Sequence, residues 1–168
     1  MRFRDIPTFT RAHYKVDVSL AHLDSVLEDY ATQGLQLEPD FQRGHVWTID
    51  QQVQYVEYLL REGLSGRVIY FNHPGWMKDW QGDFVLVDGL QRLTACLRFL
   101  HNEIPVFGSL RQDYTDRLPN EVTLEFSIHD LPTRADVLDW YLQLNAGGVV
   151  HTAAEIERVR ALLEAERR

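Results

Sequence analysis

The sequence predicts a small α+β domain, on three observations. Apolar and polar residues alternate over 13–18 and 122–128, the period of a half-buried strand. The run Phe84-Val85-Leu86-Val87 is continuously apolar, as in a strand buried on both faces. Around these lie stretches whose apolar residues recur three and four apart, several of them opened by helix-capping residues.

In chain order, Tyr14, Val16 and Val18 define a strand over His13 to Val18. Ser19 is placed to cap a helix from about Leu20 to Thr32 with the stripe Leu20, Leu23, Leu27 and Tyr30, and Gly34 stands where helices commonly stop. Leu35 to Leu37 is short and extended, and Pro39 opens an irregular segment up to Trp47. Thr48 and Gln51 spell a capping box for a helix to about Arg61, with Val53, Val56, Leu59 and Leu60 inward and Gly63 at its end. Val68 to Phe71 is a second strand, and His73 to Asp83 a loop with Trp76 and Trp80 at the surface.

Phe84 to Val87 then runs through Asp88-Gly89 straight into a helix, Leu90 to about His101, with Leu93, Leu97 and Leu100 on one face. Ile104 to Phe107 is a further candidate strand, followed by a polar loop, Gly108 to Asn120. In the strand Val122 to Ile128, Val122, Leu124, Phe126 and Ile128 share one face. A helix over Thr133 to Leu144 carries Val137, Leu138, Tyr141 and Leu142. The turn Asn145-Ala146-Gly147-Gly148 precedes a second capping box, Thr152 to Glu155, and a last helix with a charged, frayed tail.

Bulk composition narrows the function classes. The chain has 168 residues, so one domain over 1–168 with a core of about 14–159 is expected, without staples. A single cysteine, Cys96, excludes an internal disulfide and a cysteine zinc site; it is expected to be buried and inert. No apolar run is long enough to span a membrane and no secretory signal is evident, so a cytoplasmic setting is expected. The net charge of −8 argues against DNA binding through a general basic surface. Only Lys15 and Lys78 are lysines, so there is no Gly-Lys-Ser/Thr phosphate loop. The seven histidines show no metal-ligand spacing, no metal site is expected, and no nuclease or serine-hydrolase motif is present.

Three constellations remain. At Asp88-Gly89-Leu90-Gln91-Arg92 a buried strand runs into a helix start, whose free N–H groups form an anion site. Gly89 lets a ligand approach the backbone, Gln91 and Arg92 lie within reach of the same anion, and arginine suits phosphate. Asp88 can hold a metal ion, orient Arg92 or simply cap the helix. Phe41-Gln42-Arg43 lies in a loop where Arg43 offers a second phosphate clamp, while Phe41 and Trp47 read as core anchors. Asn145, before two adjacent glycines, is either a ligand contact or a helix cap.

Taken in order, these motifs resemble the N-terminal domain of GmrSD-type, modification-dependent restriction proteins, over roughly Tyr14 to Val159. That family carries Phe-Gln-Arg followed by an aromatic, here Phe41-Gln42-Arg43 with Trp47. It then has an apolar strand into Asp-Gly-Gln-Gln-Arg, here Asp88 to Arg92 followed by Leu93-Thr94, and an Asn-x-Gly-Gly turn before a Glu-Ile helix, here Asn145 to Gly148 and Glu155-Ile156. Leu90 replaces a glutamine, so any hydrogen bond from that position is lost. The resemblance implies a ParB/sulfiredoxin-like fold, a small mixed sheet with flanking helices. It implies a nucleoside triphosphate ligand, with Mg2+ as a candidate companion. It assigns Asp88, Gln91 and Arg92 to catalysis, and Gln42, Arg43, Gly89, Thr94 and Asn145 to the nucleotide. Many relatives continue into an effector domain, and none is expected here, since only a charged tail follows Ile156.

The functional expectation is an NTP hydrolase or NTP-dependent switch in DNA-modification sensing or phage–host defence. Its expected partners are modified DNA or a separate effector protein, and a homo-oligomer stays open. The alternative is a non-catalytic DNA- or protein-binding regulatory module, including a phage protein of base modification or anti-defence.

Overall fold

A computed structural model of the chain describes residues 12–42, 44, 46–76, 78, 80, 82–145 and 153–167, with the side chains of 12, 13 and 153 excepted. The elements are β1 Ala12–Ser19, α1 Leu23–Thr32, α2 Ile49–Leu60, β2 Val68–Asn72, β3 Val85–Asp88, α3 Leu90–Leu100, β4 Thr123–His129, α4 Arg134–Asn145 and α5 Ala153–Glu166. The four strands form one mixed sheet in the order β1-β4-β2-β3. β1 pairs antiparallel with β4, β4 parallel with β2, and β2 antiparallel with β3. This is the α+β class the patterns predict, with a small mixed sheet and flanking helices.

Alternation along the strands sends side chains to two cores. Leu124, Phe126 and Ile128 of β4, Ile69 and Phe71 of β2, and Leu86 of β3 pack on one face with α1, α2 and α3. Tyr70, Val85 and Val87 point the other way, onto α4 and α5 through Val137, Leu138, Tyr141, Val159 and Leu163. Because β4 lies between two strands and both its faces are covered, Ser127 and His129 are buried as well. The expected stripe of α1 is also buried, at Leu20, Leu23, Leu27 and Tyr30, but its first turn, Leu20–His22, is a 3₁₀ turn capped by Ser19.

The capping box of α2 forms in both directions: the Gln51 N–H donates to Thr48 Oγ1 at 3.3 Å, and the Thr48 N–H to Gln51 Oε1 at 2.9 Å. The box expected at Thr152 lies outside the described residues. The short extended stretch at 35–37 covers the outer edge of β3. The Gln36 N–H donates to Phe84 O at 2.8 Å and the Leu86 N–H to Gln36 O at 2.9 Å.

Two expectations are corrected. Ile104 to Phe107 is not a strand. Val106 and Ser109 bond to each other at both ends of a tight turn whose central residues, Phe107 and Gly108, have φ of 48° and 77°. The apolar residues Ile104 and Val106 are anchors of a loop, buried in the same core as α1, α2 and α3. Of the loop tryptophans, only Trp80 is well exposed. Trp76 packs against Tyr30 and Phe84, and Trp80 stacks flat on it at 5.3 Å.

Candidate functional site

β3 delivers the site. Its residues Leu86 and Val87 are fully buried, and the strand ends at Asp88 as the chain passes Gly89 into α3. Gly89 has φ +114°, a conformation side chains resist, and a Cβ there would stand 2.7 Å from Ile69 Cδ1 and 3.3 Å from Ile69 Cα. Ile69 therefore occupies the room that glycine was expected to leave for a ligand, and close packing on β2 alone demands a glycine. With Gly89 as its N-cap, α3 begins without a side-chain cap. Its first-turn N–H groups lack that partner and carry the positive end of the helix dipole.

Arg92 is the brace of the turn. Its Nη2 forms an ion pair with Asp88 Oδ2, one helical turn back. Nη1 donates to Val68 O at 2.8 Å and, more weakly, to Gly66 O at 3.4 Å, tying α3 to the start of β2. The Arg92 side chain is 18% exposed and that of Asp88 38%. Of the three readings of Asp88, the geometry displays the one in which it orients Arg92. Tyr55 closes this side by donating to Gly66 O at 2.8 Å; burial pushes its hydroxyl pKa up despite the opposing pull of Arg92, so it stays a neutral donor.

Gln91 is buried and bonded through both polar atoms of its amide. Its Oε1 accepts from the Val46 and Trp47 N–H groups at 2.8 and 3.0 Å, and its Nε2 donates to Gly44 O at 3.2 Å. Gln42 holds the other flank of the same loop, its Nε2 donating to Val87 O at 3.0 Å and Leu86 O at 3.2 Å. The two motif glutamines thus fasten the Phe41–Trp47 loop to β3 and α3. Arg43, between the two fastened points, lies outside the described residues. Phe41 is the expected core anchor, 5.2 Å from the Tyr141 ring, and Trp47 is partly buried against the core.

The structure thus brings Asp88, Gly89, Gln91, Arg92 and Gln42 together. Thr94 lies further along α3, partly buried, and no described contact ties it to the turn. Asn145 ends α4 and donates from Nδ2 to Tyr141 O at 2.7 Å, within its own helix; the glycines after it lie outside the described residues. Sequence reasoning missed Arg158 of α5, whose Nη2 donates to Gln42 O at 3.0 Å and Phe41 O at 3.4 Å. An arginine on a charged helix reads as solvated, and only its position two residues after Ile156 hinted otherwise.

Among the described residues, no group of three histidine, cysteine or acidic side chains is placed to hold a metal ion. Nor, among them, is any helix long and apolar enough to cross a membrane. Among the described residues, two clefts of about 180 Å³ stand out, and neither is lined by Asp88, Gln91 or Arg92.

No curated protein and no solved structure matches the chain. A family does: the sequence matches the family described as GmrSD restriction endonuclease, N-terminal domain, over residues 23–127. The matched span holds both the Phe41 loop and the Asp88 turn, and ends before Asn145. With most of its length matched, and with those two motifs locked together in space, this chain belongs to the GmrSD N-terminal domain family.

Proposed function

We propose that this domain, from a family of restriction and phage-defence context, is a nucleotide-dependent switch that binds the phosphates of a nucleoside triphosphate at the Gly89 turn. The observation that carries this reading is the uncapped N-terminus of α3 directly beside the Asp88–Arg92 pair. Free helix N–H groups accept an anion readily. Arginine has five N–H donors, and the contacts to Asp88, Val68 and Gly66 leave Nε–H and one Nη2–H for phosphate oxygens. Asp88 Oδ1 remains to share a Mg2+ ion with those phosphates. One carboxylate suits Mg2+, which commonly keeps its water and phosphate ligands. Slow hydrolysis, gating of an effector protein and sensing of modified DNA are the downstream steps in this reading.

The test is nucleotide-dependent thermal stability with ATP, GTP, CTP and UTP, with and without magnesium. Ligand at 100 times its dissociation constant stabilises by about 2.7 kcal/mol. A shift for one nucleotide that disappears in Arg92→Ala supports the switch. No shift with any nucleotide in folded protein rules it out.

A second reading is favoured by the bonds that Gln42 and Gln91 make to backbone groups of their own chain. In it the motif is a scaffold, and the domain is a non-catalytic module binding DNA or protein. A salt titration separates the two kinds of partner, because DNA binding through phosphates weakens steeply with salt.

A further inference from the structure

At the far end of α3, about 14 Å along the helix axis from Leu90, the loop that follows the helix, over 107–119, forms a separate cleft of about 180 Å³. Its floor is apolar: Leu60 at the end of α2, Phe99 of α3, and Tyr114. Phe107 forms one wall and is 44% exposed. Arg111, Arg117 and Asp116 supply the charged rim.

The region is built in advance. The Phe107 N–H donates to Glu57 Oε1 at 3.0 Å, and Tyr114 Oη donates to Val106 O at 2.6 Å. The Gln112 N–H donates to Asn102 Oδ1 at 2.7 Å and the Leu110 N–H to Asp113 Oδ2 at 3.0 Å. Phe107 is held at φ 48°, where a bulky side chain is an outlier, with its ring presented outward under the Arg61 guanidinium at 5.0 Å. Among the described residues, neither guanidinium, of Arg111 or of Arg117, has a side-chain hydrogen bond or an ion pair. Elsewhere Arg92, Arg98, Arg134 and Arg167 have carboxylate partners, Arg67 and Arg158 donate to backbone carbonyls, and Arg61 stands over the Phe107 ring.

We infer that this cleft is a docking site for an acidic segment of a partner protein, one that seats a single apolar or aromatic side chain between Phe107 and Tyr114 while its carboxylates pair with Arg111 and Arg117. Size decides against a larger guest, since sites for drug-sized ligands run to roughly 300–1000 Å³. Charge decides for protein over nucleic acid. Asp116 lines the cleft and Asp113 lies in the same loop, so the cationic positions are two separate points and not a continuous basic track. A phosphate backbone would meet both signs, whereas a peptide can place its carboxylates on the two arginines alone. Aromatic and arginine side chains around a small desolvated pocket are also the composition of protein-binding hot spots.

The probe is a set of short fluorescein-labelled synthetic peptides rich in Asp and Glu, each with one central Phe, Trp or Leu, followed by anisotropy on the full chain. Controls are the same peptides with the central residue changed to Ala, a lysine-rich counterpart and a labelled oligo(dT). At least one anchored acidic peptide is expected to bind, and to weaken about tenfold when its anchor becomes Ala or when the protein carries Arg111→Glu and Arg117→Glu. Phe107→Gly keeps the turn, because glycine accepts its φ, and is expected to weaken the same peptide with the melting point retained. Arg92→Ala, in the other site, leaves this affinity unchanged. The inference is overturned if no acidic peptide binds at low salt, if the arginine and Phe107 variants bind as well as the native chain, or if oligo(dT) binds in preference and is lost with the same arginines.

Discussion

At the N-terminal end of α3, Gln91, Arg92 and Gln42 reach backbone carbonyls and N–H groups of their own chain. At the C-terminal end, among the described residues, Arg111 and Arg117 reach no such partner. The first end carries the recognisable motif; the second carries none. The difference teaches that a motif can be recognisable because the fold depends on it. Gln91 and Gln42 hold the Phe41–Trp47 loop to α3 and β3, beside the grip of Arg158 and the packing of Phe41 on Tyr141. Residues available to an outside ligand need no fixed internal partner, and their chain spacing follows no pattern.

The sharpest way to break this comparison is Gly89→Ala. The added Cβ meets Ile69, which is fully buried and cannot give way, at a φ that side chains resist. A loss of about 3 kcal/mol in urea unfolding is expected from strain and overpacking together. Cys96, on α3 between the two ends, gives a second readout. Burial pushes its thiol from 9.0 up to about 12, so the native protein is expected to resist thiol reagents at neutral pH, and Gly89→Ala to label faster. The sign of the pH effect follows. Because the folded pKa lies above the unfolded one, this contribution to stability is complete below pH 9 and is lost as pH rises through about 12.

Next in size is Gln91→Ala. It leaves the Val46 and Trp47 N–H groups and the Gly44 carbonyl without their partner, and about 2 kcal/mol is expected. Proteolysis within the Phe41–Trp47 loop is expected to accelerate more than the global stability loss accounts for. An unchanged cleavage rate would remove Gln91 from its role as the fastener of that loop.

Arg92→Ala comes third, at about 1.5 kcal/mol, since its ion-pair partner Asp88 is partly exposed and screened by solvent. Its effect on nucleotide binding is expected to be far larger than its effect on stability, and that contrast separates a ligand-binding arginine from a bracing one. The smallest effect is at the other end. Arg111→Glu with Arg117→Glu is expected to move stability by less than about 0.5 kcal/mol while altering partner binding.

Much of the fold was legible in the residues. The stripe of α1, the Thr48 capping box, the buried strand at Val85 to Asp88 and the direct entry into α3 all follow from local periodicity and capping chemistry, although that strand lies at the sheet's edge and not at its centre. The strand expected at Ile104 to Phe107 failed because two positive φ angles close a turn there, and periodicity does not report φ at a phenylalanine. The membership of the site was partly legible too: Asp88, Gly89, Gln91, Arg92 and Gln42 do meet. What each one touches was not.

By itself, then, the sequence determined most of the segments that become strands and helices, Ile104 to Phe107 excepted, because those choices rest largely on contacts within a few residues. It also determined that Asp88 would stand at a strand-to-helix turn. Only the tertiary structure decided that Ile69 fills the space beside Gly89, that Gln91 faces a loop 44 to 47 positions away, and that Arg158 grips the Phe41 carbonyl from the last helix. Only it decided that two arginines of an irregular loop would line one cleft with Leu60, Phe99 and Tyr114. The physical reason is range: hydrogen bonds and close packing between distant segments depend on where the sheet brings them, and no local spacing encodes that meeting.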